Sequence, residues 1–109
     1  MLKQAVESYQ AGRLDEAEGL CKAILRADGN HVHALHLLGV VQSRLGRSNE
    51  ALASYDKALA IKPDHAEALN NRGVTLQDLR RFEDALASYD KALAIKPDFA
   101  RTAVSPCGS

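Results

Sequence analysis

The chain has no tryptophan and little aromatic character: three tyrosines and two phenylalanines, 5% of 109 residues. A large aromatic core is therefore excluded, and the interior must be built from the Ala, Leu, Ile and Val that dominate its 46% hydrophobic content. Net charge is also absent. Fourteen basic residues cancel fourteen acidic ones, and no block of one sign is long enough to set up a one-sided field, so a nucleic-acid partner is not expected. No stretch approaches the roughly 20 apolar residues of a membrane span. The first residues, MLKQAVESYQAGRLDEA, lack the apolar run of a secretory leader, so we expect a cytoplasmic protein with no membrane partner. The two cysteines, Cys21 and Cys107, form no CxxC or Cys/His spacing, which argues against a zinc site or a structural disulfide. Cys21 falls on an apolar helix stripe and is expected to be buried, whereas Cys107 lies in a polar tail.

What is present is a duplication. Ala51 to Asp64, ALASYDKALAIKPD, returns unaltered at Ala85 to Asp98, an offset of 34 residues. A period between 20 and 50 residues is the mark of a stacked repeat, in which each unit buries its apolar face only against its neighbours. The intervening patterns are helical. Residues 1–12 and Leu14 to Ala27 form a first hairpin, Val32 to Leu45 and Ser48 to Ile61 a second, and Ala66 to Leu79 and Phe82 to Ile95 a third. Short loops make each pair antiparallel. Ser48 is expected to cap its helix, and Asp64 with Glu67 to form a capping box at the start of the third hairpin. Asp98 is placed to cap a short last helix from Phe99 to about Val104, before a frayed tail at 105–109. The expected fold class is all-α, a right-handed superhelical stack of three hairpins in one domain over 1–104, with units near 1–31, 32–65 and 66–99 and a partial capping helix at 99–104.

Leu35, Leu38, Gly39, Ala51, Tyr55 and Pro63 in the second unit, and Leu69, Gly73, Ala85, Tyr89 and Pro97 in the third, stand at the spacing of the tetratricopeptide repeat, and the chain resembles that family over residues 1–99. The first unit is degenerate but keeps register through Met1, Ala5, Ala17, Cys21 and Gly29. These residues are expected to be the repeat core, with Gly39 and Gly73 leaving room for the partner helix at Ala51 and Ala85 and the tyrosines filling the wedge between units. Arg72 stands where Leu38 stands one repeat earlier, and its stem is expected to lie on the core with the guanidinium in water.

The resemblance implies that the first helix of each hairpin lines a concave face on which an extended protein or peptide partner binds. On that face lie His33, His36, Val40, Ser43 and Arg44 of the second unit and Glu67, Asn70, Asn71, Val74, Gln77 and Asp78 of the third, joined by Leu2, Val6, Tyr9 and Gln10 of the first. The carboxylate clamp of chaperone-binding members is missing, because Val6, Val40 and Val74 hold its asparagine positions. One rung of the asparagine ladder found in repeats preceding O-linked N-acetylglucosamine transferases is matched, by Asn71, while Leu37 and Lys3 break the others. The phrasing HVHALHLLGV and EALNNRGVTL is also similar to bacterial arrays of that type.

His33 and His36, one helical turn apart, invite a metal ion, but no acidic or cysteine ligand is near them in sequence, so neither metal nor cofactor is expected. No nucleophile motif, phosphate loop or isolated acidic pair suggests an enzyme. The reading is a noncatalytic interaction scaffold, self-associating through its uncapped ends as a homo-oligomer; the alternative is the substrate-presenting repeat region of a larger enzyme such as a glycosyltransferase.

Overall fold

A computed structural model describes residues 2–96 of the chain, and these form six helices: α1 (Leu2–Gln10), α2 (Leu14–Ala27), α3 (Val32–Arg44), α4 (Ser48–Ile61), α5 (Ala66–Asp78) and α6 (Phe82–Ile95). Pro97, the expected capping helix at Phe99 to Val104 and Cys107 lie outside the described residues. Consecutive helices pair as hairpins, α1 with α2, α3 with α4 and α5 with α6, and the hairpins join where α2 meets α3 and α4 meets α5. The first helices also touch along one side, α1 against α3 and α3 against α5. This all-helical stack of hairpins is the fold that the 34-residue period demands, with extents of 40 × 27 × 23 Å.

Each hairpin turns in the same way. The N–H of Arg47 bonds to Gln42 O at 2.9 Å and that of Gly46 to Ser43 O at 3.1 Å, with Gly46 at φ 81°. That pair of bonds is a Schellman motif, which satisfies the last carbonyls of a helix by swinging one residue into the left-handed region. Arg13 to Ser8 O with Gly12 at φ 84°, and Arg81 to Leu76 O with Arg80 at φ 62°, repeat it at intervals of one unit. In the third hairpin the left-handed position is thus held by an arginine, whose Cβ makes it strained there.

Two expected caps are different. Ser48 is already inside α4, behind Arg47, which makes no side-chain capping bond. The Schellman turn delivers the chain directly into α4, and the Arg47 carbonyl accepts from the Ala51 N–H at 3.0 Å. Asp64 and Glu67 form no capping box either. The turn that bonds His65 N to Lys62 O sets His65 at the cap of α5, where its Nδ1 accepts from the Ala68 N–H at 3.2 Å. His31 does the same for Ala34 at the start of α3.

The core is small-residue helix packing, as the composition requires. Ala5, Ala17, Cys21, Ala34, Val41, Ala51, Ala58, Ala68 and Leu76 are fully buried. Burial pushes the Cys21 thiol up to about 11, so it stays protonated at neutral pH. At the glycines, the partner helix approaches through a tyrosine ring. A Cβ on Gly39 would meet the Tyr55 ring at 2.5 Å, and one on Gly73 the Tyr89 ring at 2.8 Å. Each glycine therefore seats a tyrosine of the partner helix in its own hairpin.

Among the described residues two ion pairs cross between units. Glu18, the polar member of the α2 stripe, is buried and accepts from Arg47 Nη1 through both carboxylate oxygens at 3.0 and 2.9 Å. Arg72 does more than reach water. Its Nε donates to Asp56 Oδ1 of α4 at 2.8 Å and its Nη1 to Ser88 Oγ of α6 at 2.6 Å, so one guanidinium ties three helices. Among the described residues no buried side-chain polar atom lacks a partner, and no helix is long and apolar enough to cross a membrane.

Candidate binding groove

The positions read as a binding face separate into a groove and a histidine seam. The groove is a cavity of about 360 Å³ lined by Tyr9 of α1, Val40, Ser43 and Arg44 of α3, and Asn71, Val74, Thr75 and Asp78 of α5, with Tyr55 of α4 behind them. One helix from each hairpin supplies a wall, because side chains three and four apart on α3 and α5 point to the same side. Val74 is 43% exposed, an apolar surface open to a ligand. Arg44 and Asp78, one repeat apart, place opposite charges on the rim.

Several contacts hold these walls in place. The Arg44 guanidinium carbon lies 5.3 Å from the centre of the Tyr9 ring, a cation–π contact between the first and second units. Thr75 Oγ1 donates toward Ser43 Oγ at 3.3 Å, joining α5 to α3. Tyr55 is 1% exposed, and burial raises the pKa of its hydroxyl. Tyr89, its counterpart, is half-buried, and its hydroxyl donates to Gln77 Oε1 at 2.7 Å. Gln77 is thereby engaged within its own hairpin rather than in the groove.

The seam lies where α3 and α5 begin. The His36 and His65 ring centres are 4.9 Å apart, and His33 sits 6.3 Å from His65 and 6.2 Å from His31. Asn71 Nδ2 lies 2.8 Å from His36 Nε2, an amide-to-ring bond that links α5 to α3 and requires an unprotonated ring nitrogen. Burial, with the neighbouring His65 ring next in weight, pulls the His36 pKa down to about 4. Burial lowers that of His65 as well. Both rings are therefore neutral at pH 7. Asn70 and Glu67 line a smaller cleft of about 230 Å³ beside His36 and Asn71, while His33 and Glu67 flank another of about 210 Å³.

The fold supplies the acidic neighbour that the sequence did not show. Atoms of His36, His65 and Glu67 able to bind a metal gather within 4.8 Å of one another. The rings are already occupied, however. With His65 Nδ1 accepting from Ala68, the proton of the neutral ring is on Nε2, and a metal there would move it to Nδ1 and displace the helix cap. His36 Nε2 is committed to Asn71. The cluster serves as a neutral, hydrogen-bonded joint between two units.

Sequence spacing found the α3 and α5 walls but missed Tyr55, which read as core, and Thr75, which it did not single out. His65 was missed too, since histidine is not part of the usual capping signature.

Comparison with known proteins bears on the whole arrangement. A model described as a TPR repeat matches residues 44–79, and one described as the tetratricopeptide repeat matches residues 66–99, so that together they span 44–99. No curated protein matches the chain. Among solved structures, MamA AMB-1 superposes with a TM-score of 0.79 at 25% identity over 84% of this chain and 54% of that one. The chain thus spans about half the length of MamA. The Yersinia enterocolitica type III secretion chaperone SycD, in complex with a peptide of the translocator YopD, gives 0.87 at 18% identity over 95% of this chain and 82% of SycD. The first repeat domain of Spaghetti (RPAP3), bound to the HSP90 peptide SRMEEVD, gives 0.85 at 21% identity, covering 87% and 75%.

Proposed function

The chain belongs to the tetratricopeptide repeat family, and on that premise we propose that it is a noncatalytic interaction module whose groove holds a peptide segment of another protein. The observation that carries this is the convergence of α1, α3 and α5 on one open cavity with an apolar floor and a polar rim. Val40 and Val74 offer contact to an apolar side chain, with the buried Tyr55 ring backing them, while Asn71 and Ser43 offer hydrogen bonds to a peptide backbone. Arg44 and Asp78 set its direction through opposite charges. Two similar structures, SycD and the RPAP3 repeat domain, hold peptides of other proteins, which supports the same class of ligand here. The valines at the clamp positions favour an internal segment with an apolar anchor over a bare C-terminal carboxylate.

Selection of peptides from a random library on the full chain tests this. Selected peptides are expected to share an apolar anchor, and Val74→Glu, at an exposed position, is expected to weaken them by roughly tenfold or more. Peptides that bind Val74→Glu and Arg44→Ala chains as well as the parent would overturn the groove as the site. The apolar outer face of α6 favours a second association, separate from the groove.

A further inference from the structure

Helices α4 and α6 share the eleven residues ALASYDKALAI, at Ala51–Ile61 and Ala85–Ile95, yet Leu52 is 8% exposed and Leu86 is 62% exposed. The difference is α5, which packs on α4 and brings Leu76 and Leu79 onto Leu52. Among the described residues no helix covers the matching face of α6. Phe82, Leu86, Tyr89 and Leu93 recur there at spacings of four, three and four, one stripe along the helix. The only stripe position that differs from α4 is Phe82, which replaces Ser48 and is 54% exposed. A face meant for water would have become more polar; this one has become more apolar.

We propose that this outer face of α6 docks one amphipathic helix of another polypeptide that presents the chemistry α5 presents to α4: an arginine followed by leucines four and seven residues later, as in Arg72, Leu76 and Leu79. Charge chooses this occupant. Asp56 beside the α4 stripe takes the Arg72 guanidinium at 2.8 Å, and Asp90 is the same residue beside the α6 stripe. A second copy fits less well. Two α6 helices meeting antiparallel set Glu83 and Asp90 of one beside those of the other, and the α1 end exposes Lys3, Gln4 and Glu7. The sequence of residues 97–109 does not supply that arginine either, because Pro106 stands where Arg72 stands one repeat earlier. The surface is distinct from the groove and does not depend on that reading.

The test uses the full chain and, as probe, a synthetic peptide of its own residues 64–81. Alone, such a peptide has no neighbour for its apolar face and carries Asn70, Asn71 and Gly73 in its middle, so it is expected to be mostly unfolded. It is expected to bind one per chain and gain helical circular dichroism on binding. Leu86→Glu should weaken it by roughly tenfold or more. Asp90→Arg should weaken it as well, and a peptide carrying Arg72→Asp should recover that loss. Val74→Glu in the groove should leave this peptide unaffected, so the two surfaces fail or stand separately. Absence of saturable binding, or binding undiminished in Leu86→Glu, would overturn the proposal. So would a dimer of the parent chain that Leu86→Glu dissociates, since a second copy would then be the occupant, or binding that begins only when residues 97–109 are removed.

Discussion

Helices α4 and α6 carry the same residues from Ala51 and Ala85 onward and live in different surroundings. In α4, Tyr55 is 1% exposed and Leu52 8%, while in α6 Tyr89 is half-buried and Leu86 is 62% exposed. The second helix of a repeat thus has two apolar sides. One serves its own hairpin, as buried Ala58 and Ala92 show in both copies, and the other serves whatever follows. Identical residues then carry different weights in stability, because what matters is the surface removed from water and not the side chain itself.

The sharpest way to break the equivalence is to truncate both leucines. Leu52→Ala is expected to cost about 3 kcal/mol and Leu86→Ala less than about 0.5 kcal/mol, measured by urea denaturation; equal losses would mean that α6 is covered as α4 is. Acid comes next. Burial pulls the His36 pKa from its ordinary 6.5 down to about 4, so its neutral form stabilises the protein above pH 6.5 and that contribution is lost as the pH falls toward 4. The loss is up to about 3 kcal/mol. His36→Gln, which keeps an acceptor for Asn71, should reduce the fall in thermal stability across this window and leave the part that His65, also lowered by burial, contributes.

A smaller effect separates the two glycines. Gly39→Ala drives a methyl group into the buried Tyr55 ring and is expected to cost about 1 kcal/mol net of the helix propensity it gains. Gly73→Ala should be close to neutral, because the half-exposed Tyr89 ring can swing aside. The smallest change is at the turns. Arg80→Gly restores the residue type found at Gly12 and Gly46 and should raise stability by about 0.5–1 kcal/mol. A fall instead would mean that the Arg80 side chain contributes more than its backbone strain costs.

The hairpins were legible because their apolar residues recur at three and four and the chain repeats itself. Both helices of the second and third units fall within a residue of where Val32, Ser48, Ala66 and Phe82 predicted them. The groove walls were legible for the same reason, since Val40, Arg44, Val74 and Asp78 occupy matching places on α3 and α5. What stayed hidden depends on contacts between residues far apart along the chain. Gly39 meets Tyr55 and Gly73 meets Tyr89 across a hairpin, and Arg72 reaches back to Asp56 and forward to Ser88. The caps were misread for a local reason. Asp64 and Glu67 fit a familiar pattern, but the turn at Lys62 places His65 one residue later at the helix start, where an unprotonated ring nitrogen accepts as a carboxylate would.

The near-identity of α4 and α6 also bears on how the chain finds its fold. Only Ser48, Asn49 and Glu50 against Phe82, Glu83 and Asp84 tell the two helices apart, so an unfolded chain offers α3 two nearly equal partners. Loop closure decides between them. Reaching α4 spans residues 45–47 and reaching α6 spans residues 45–81, a difference worth roughly 2 kcal/mol of chain entropy in favour of the nearer helix. The order of the stack is held by the brevity of its turns as much as by the residues that pack, and a long flexible insertion at Gly46 would let a misregistered species compete during refolding.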